Sequence, residues 1–504
     1  MKKSIRFLCL FLALAMCVTS FTGCKKKQEL DLRDQIVTTT STTVSGGDVS
    51  MVEGGGGKKV TTTTKSEDVW GGIDNWEGSI IDDETVLKYD FGGKTIIIDG
   101  PPTPDATKSK AEAAYVNVIN KLESMNCKVK FVYRTFSDTK QKTVLNVMSD
   151  TYFADIVATP QHGVVGYLTS DLLLDMSKIK TMDLSKPYMN VGSGVEAFKL
   201  GSGYWGVNYP YELAQLGNYV YFNKRLMKEV TGDENYPYKL MAQKKWNLNA
   251  LRELSKKGTK ELDGDGKMTA ADQWGLLFMD YGTSGFGAVM QANRALMIKN
   301  VNGALAYNME DKKILPAINF GMDLFINDKV CLSVANQDAF TSGHGLFIGG
   351  VFATSCSMIA DMKDDFGILP FPLGEGQTEY SVPTNWNTDV WCIPACIGKD
   401  RKENAGAFLQ AYMLLCDDIL IPAIFDEYKL RYCRDNESKD NLLIGYRAQY
   451  TTPANAVAND GAIQAGTYKV CYEAAKGTAT PATLIAQNKS ISIKALADLN
   501  SKLK

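Results

Sequence analysis

Glu261, Asp263 and Asp265 alternate at the start of a twelve-residue stretch that closes on Asp272, with Gly266 in sixth place. Lys267 adds a backbone carbonyl and Thr269 a hydroxyl. Converging oxygens at this spacing suit calcium, a hard cation that takes about six to eight of them. The first position is Glu where such loops carry Asp, and the last is the shorter Asp where they carry Glu. The competing reading is a solvated Asp-Gly turn. We expect a structural calcium ion here, bracing a surface loop, and no cofactor for catalysis.

Other reactive residues are sparse. His162 and His344 are the only histidines, and neither has paired acidic neighbours, so no metal or hydrolytic centre is expected from them. Cys392 and Cys396 are four apart in an apolar run without nearby histidine, which reads as buried thiols.

Sequence periodicity shows which elements position the remaining polar and aromatic groups. Thr95–Asp99 is a continuous apolar strand, and Ala106–Asn126 repeats apolar residues at helical spacing. A strand at 129–133, a helix at 138–148 and a strand at 154–158 complete a parallel sheet with crossover helices. Asn223 and Asn247 are placed to cap further helices. Ligands of open parallel sheets sit beyond the carboxyl ends of the strands. Those ends carry Asp99, the loop 134–136 and the loop 159–162, so Asp99 and His162 are candidate ligand contacts. Aromatic rings with polar side chains beside them can stack on and hydrogen-bond a polar ligand. Trp205, Tyr209, Tyr211 and Glu212 form one such group, and Tyr281, Ser284, Phe286 and Phe352 add to it. Asn385, Trp386 and Asp389 form another, with Trp386 the foremost candidate.

The chain has 504 residues and a formal net charge of -2, with no basic stripe for nucleic acid. Its length calls for two domains or lobes. Lys2, Lys3 and Arg6 precede an apolar run, which meets Phe21-Thr22-Gly23-Cys24. This is the pattern of a lipoprotein signal peptide over 1–23, with Cys24 as the lipidated residue. Residues 24–85 are rich in Thr, Gly and Ser and read as a tether; Trp70 and Trp76 are unusual within it. No later stretch is expected to reach transmembrane length.

From Tyr204 onward the motifs follow a recognisable order. Gly203-Tyr204-Trp205-Gly206, Tyr209-Pro210, Phe222-Asn223-Lys224 and Trp246-Asn247-Leu248 are followed by a small-residue strand from Phe340 to Phe352. Phe366-Gly367-Ile368-Leu369-Pro370-Phe371-Pro372 comes last. This order resembles the family 1 extracellular solute-binding proteins, over about Leu87 to Ala411; the 261–272 segment is separately similar to an EF-hand loop.

The family resemblance implies an α/β, two-lobed periplasmic-binding-protein-like fold (type II), each lobe a sheet flanked by helices. Lobe 1 would take 86–209 with 374–420, lobe 2 would take 210–373 with 421–504, and hinge crossovers would lie near Tyr209-Pro210 and Leu373-Gly374. It further implies a monomer on the outer face of the cytoplasmic membrane, held by its lipid. Such a protein captures a sugar or oligosaccharide for ABC permease subunits and is not an enzyme. An exported glycosidase and a sensory binding protein for another polar solute are the alternatives.

Overall fold

The structure, a computed structural model, describes residues 85–190, 194–215, 217–278, 285–332, 337–352, 359–384, 388–450, 457 and 461–503. The signal peptide, Cys24, Trp70 and Trp76 lie outside the described residues.

The chain opens as β1 (Lys94–Gly100), α1 (Lys110–Glu123), β2 (Cys127–Tyr133), α2 (Phe136–Met148) and β3 (Ile156–Pro160). β1 is parallel to β2 on one side and to β3 on the other. α1 starts where the Ser109 side chain accepts the Glu112 N–H, and α2 where Thr135 accepts that of Asp138. The α1 face carrying Ala111, Tyr115, Val118 and Leu122 is buried, as its spacing requires.

A hairpin of β4 (Lys199–Leu200) and β5 (Gly203–Tyr204) leads into β6 (Val207–Asn208) and helix α3 (Pro210–Gln215). Then come β7 (Asn218–Asn223), α4 (Lys224–Thr231), α5 (Leu248–Gly258), β8 (Trp274–Phe278) and α6 (Phe286–Ala292). The Asn223 and Asn247 carboxamides accept from Leu226 and Ala250, capping α4 and α5. A second hairpin, β9 (Ile298–Val301) and β10 (Ala304–Tyr307), precedes α7 (Ile314–Met322), β11 (Cys331–Leu332), β12 (Gly345–Phe352) and β13 (Phe366–Leu369). The remainder is β14 (Val382–Pro383), β15 (Asp389–Cys392), α8 (Lys402–Leu415), α9 (Ile421–Arg431), α10 (Asn436–Arg447), β16 (Gln449–Tyr450) and α11 (Pro481–Asn500).

Two five-stranded sheets result. The first has the order β2-β1-β3-β15-β6 and the second β11-β8-β12-β7-β13. In the first, β15 runs antiparallel to β3 and β6, so its first residue, Asp389, stands opposite Pro160 at the end of β3.

The chain changes sheets later than expected at every crossing. α3 still packs with α9, and Tyr211 Oη donates to Glu112 Oε1 of α1 at 3.1 Å, so the chain leaves the first unit after Gln215. Pro210 starts a helix, where its fixed φ and missing N–H suit the first turn. The return does not occur at Leu373-Gly374. Gly374 is pressed against the next unit's backbone: a Cβ there would lie 2.4 Å from Ala292 O. Gly217 and Thr384 still form a bridge beside β14, and the first sheet is rejoined by Thr388, whose carbonyl accepts the Gln161 N–H at 3.0 Å. The last crossing lies between Arg431 and Asp435. α9 remains on the first unit, where Glu427 accepts the Ala111 N–H, while Asp435 pairs with Lys224 at 2.6 Å.

Lys402–Arg431 forms one helical run of 30 residues, long and apolar enough by length and composition to cross a membrane, against expectation. Within it 72% of the most apolar window is buried in the body, the property of a core helix, and every residue of α8 from Asn404 to Leu415 is buried. Asp417 and Asp418 interrupt the apolar run, and the chain absorbs them in a π-helical turn, Cys416–Leu420.

Candidate ligand site at the edge of the first sheet

The carboxyl ends of β1, β2, β3 and β6 lie along one edge of the first sheet, and β15 begins there. Asp99, at the end of β1, is buried. Its carboxylate accepts Arg134 Nε at 2.8 Å and Thr139 Oγ1 at 3.2 Å. Asp99 therefore positions Arg134, whose side chain remains about one-third exposed. His162 sits half-buried in a turn after β3, edge-on to Phe136 with ring centroids 5.9 Å apart.

Gln161, also buried, reaches from the same turn to Asn208 Oδ1 at 3.4 Å. Asp389 N donates to Glu212 Oε2 at 2.7 Å, and Asp389 O accepts the Tyr209 N–H at 3.0 Å. Structure thus brings Asp99, His162, Tyr209, Glu212 and Asp389 to this edge. Two further groups stand out that sequence reading did not single out. Asn208 Nδ2 and Thr388 Oγ1 are fully buried and have no hydrogen-bond partner among the described residues. A buried polar atom without a partner carries a desolvation penalty of about 1–3 kcal/mol, so such atoms concentrate where a ligand completes them. Asn208 lies just before Tyr209-Pro210, and that adjacency was the only sequence signal for it.

The aromatic residues of the first group pack as structure. Tyr209 stacks on Trp391 at 4.8 Å, and its hydroxyl meets that of Tyr115. Burial pushes the Tyr209 phenol well above its usual range. Tyr211 stacks on Tyr115 at 5.4 Å beneath α1. Trp205 donates Nε1 to Leu200 O at 2.7 Å and covers Gly203, closing its own hairpin. Tyr281, Ser284, Asn385 and Trp386 lie outside the described residues. Phe286 opens α6 and Phe352 ends β12, and their side chains likewise lie outside.

The acidic loop is separate from this edge. One carboxylate oxygen each of Glu261, Asp263 and Asp265 lies within 4.8 Å of the others. Gly264 and Gly266 turn the backbone at φ of 79° and 76°. Asp272, expected as the last ligand, is instead engaged inside the loop. Oδ1 accepts the Leu262 N–H at 2.8 Å, and Oδ2 accepts the Thr269 N–H at 2.7 Å and its hydroxyl at 3.2 Å. The Leu262 and Thr269 amides hold the Asp272 carboxyl below the usual carboxylate range.

No protein-family model matches the chain, and no curated protein matches it in sequence. Solved structures do match in fold. The cyclic alpha-maltosyl-1,6-maltose binding protein of Arthrobacter globiformis superposes with a TM-score of 0.55 at 15% identity, over 81% of this chain and 99% of that one. A cyclo/maltodextrin-binding protein complexed with maltotetraose gives 0.54 at 14%, over 80% and 97%. The maltose-binding periplasmic protein MalE of Listeria monocytogenes, in complex with maltose, gives 0.50 at 14%, over 80% and 98%. The chain has the type II periplasmic-binding-protein-like fold of these proteins, two sheet-bearing units joined by crossing segments.

Proposed function

We propose that this chain is a solute-binding lipoprotein that captures a carbohydrate, an oligosaccharide by preference, between its two units. It would deliver the sugar to the permease of an ABC importer. The observation that carries this reading is the pair of unpartnered groups at the first sheet's edge, Asn208 Nδ2 and Thr388 Oγ1. A neutral amide donor and a hydroxyl that donates or accepts suit vicinal hydroxyls better than a bare anion or a polyamine. The fold, shared with binding proteins for maltose and maltodextrins, supports the same class. In this reading the two sheets are the two lobes, Cys24 carries the lipid and residues 24–85 are the tether. The Glu261, Asp263 and Asp265 carboxylates fit a calcium ion, with Asp272 positioning the loop around it.

The test is a thermal-shift and mass-spectrometric screen of the chain against maltose, maltotetraose and mannotriose. At about one hundred times its dissociation constant a ligand adds about 2.7 kcal/mol. We expect stabilisation with the sugar recovered intact. Cleavage of the sugar would instead establish a glycosidase, and silence across neutral glycans would refute the carbohydrate assignment.

A further inference from the structure

Besides the three covalent crossings, the two sheet-bearing units meet where two hairpins approach each other. The β4–β5 hairpin belongs to the first: Tyr204 N donates to Asp175 Oδ1 at 3.0 Å, and the strand runs on into β6. The β9–β10 hairpin belongs to the second, where Asn500 of α11 holds both polar groups of Leu305, at 2.8 and 2.9 Å. Between the hairpins stands Asn300. Its Nδ2 donates to Lys199 O and to Gly201 O, each at 3.1 Å, while its Oδ1 accepts the Gly303 N–H of its own turn at 3.0 Å.

Gly201 makes this approach possible. It adopts φ of 70°, and a Cβ there would lie 2.6 Å from Leu503 O. Beneath the contact, Phe198 and Leu200 belong to the same buried cluster as Met297, Ile298, Leu305, Leu499 and Leu503. Gly201 lies in the hairpin that precedes β6, upstream of Asn208.

We propose that the Asn300 carboxamide is a latch between the units. It holds the arrangement seen here, and any change of angle between the two sheets proceeds through its release. The inference is independent of what the edge binds. It locates a control point in a surface hairpin, where a substitution retunes the conformational equilibrium without touching ligand.

The test uses the full chain without ligand, with a nitroxide side chain introduced as a non-canonical residue at exposed Lys128 and Lys228, one on each unit. Distances are read by pulsed electron paramagnetic resonance. Asn300→Ala removes both donors. Asn300→Asp keeps the acceptor for Gly303 and so keeps the turn, but it sets a carboxylate against two carbonyls. Two hydrogen bonds correspond to a shift of about ten- to thirtyfold. We expect the ratio of other distances to the one matching this structure to rise by that factor in Asn300→Ala and further in Asn300→Asp. The thermal unfolding of Asn300→Asp should stay near that of the parent. An unchanged distribution in both variants, or an Asp variant that behaves like the parent, overturns the latch.

Discussion

Replacing Arg401 by Met should destabilise the protein by about 3 kcal/mol, because it strands a charge inside the first unit. Asp155 is fully buried. Its two oxygens accept Arg401 Nε at 2.8 Å, Arg401 Nη2 at 2.8 Å, the Ile97 N–H at 2.8 Å and Tyr152 Oη at 2.8 Å. The same guanidinium lies 4.5 Å from the centre of the Tyr152 ring and donates to Thr95 O. Asp155 thus ties β1 to the segment before β3, and Arg401 ties both to the start of α8. Without Arg401 two neutral donors remain around an uncompensated carboxylate. Breaking one side of a buried pair costs about 3–5 kcal/mol, and the partial exposure of Arg401 places this case at the lower end. The assay is urea unfolding followed by tryptophan fluorescence, where a slope of about 3 kcal/mol per molar gives a midpoint about 1 M lower. Asp155→Asn in the same chain should recover at least about 1.5 kcal/mol, since an amide oxygen can still accept from Ile97 and Tyr152. A loss below about 1 kcal/mol for Arg401→Met would place the pair among surface ion pairs and refute the reasoning.

Gly275→Ala should cost at least about 2 kcal/mol in the same unfolding assay, because a Cβ there would lie 1.9 Å from Ser255 O, a backbone atom that cannot move aside. Calcium should raise the melting temperature of the parent chain, and Asp263→Asn with Asp265→Asn should abolish that rise; equal melting in calcium and in chelator removes the ion from the loop. Asp272 has its folded pKa lowered by backbone donors, so its contribution is present above the ordinary carboxylate pKa and lost as pH falls through the lowered value. Melting temperatures between about pH 2 and 6 should therefore fall less steeply for Asp272→Asn than for the parent. Burial alone would raise the Asp435 carboxyl, but the Lys224 ammonium and Ser438 hold it below its ordinary value. Lys224→Met should let it rise, shifting the acid limb of the stability profile toward higher pH, as titration followed by circular dichroism would show.

How much of this was legible depends on which forces leave a local mark. The parallel start of the first sheet was readable, because Thr95–Asp99 is apolar throughout and α1 repeats its apolar face at helical spacing. Asn223 and Asn247 cap as expected, since a capping carboxamide acts within three residues. The crossings were misplaced because they depend on packing between distant segments. Pro210 and Gly374 look like hinge residues, yet one starts a helix and the other permits close backbone contact. Aromatic type was equally uninformative about direction. Tyr209 and Tyr211 stand beside loops in sequence, but their rings turn under α1 and join Tyr115, because the column they complete spans nearly three hundred positions in sequence, from Tyr115 to Tyr412 at 6.1 Å. Asn208 and Thr388 are ordinary polar residues until their surroundings show that no described group meets Nδ2 of the one or Oγ1 of the other.

The edge also bears on binding against turnover. Glycoside hydrolysis needs two carboxyl groups facing the scissile bond, one of them held protonated. Among the described residues the acids at this edge are engaged in positioning other groups. Asp99 orients Arg134 and receives Thr139, and Glu212 receives the Asp389 backbone N–H. Using Asp99 as an acid would release Arg134 from the rim, and using Glu212 would unpin the start of β15. Either change would disturb the edge before it could act on a sugar. The described side-chain atoms at this edge without a partner are an amide donor, Asn208 Nδ2, and a hydroxyl, Thr388 Oγ1, both suited to hydrogen-bonding a ligand. In the proposed reading such an edge captures and releases its ligand, and release then depends on how readily the two units part.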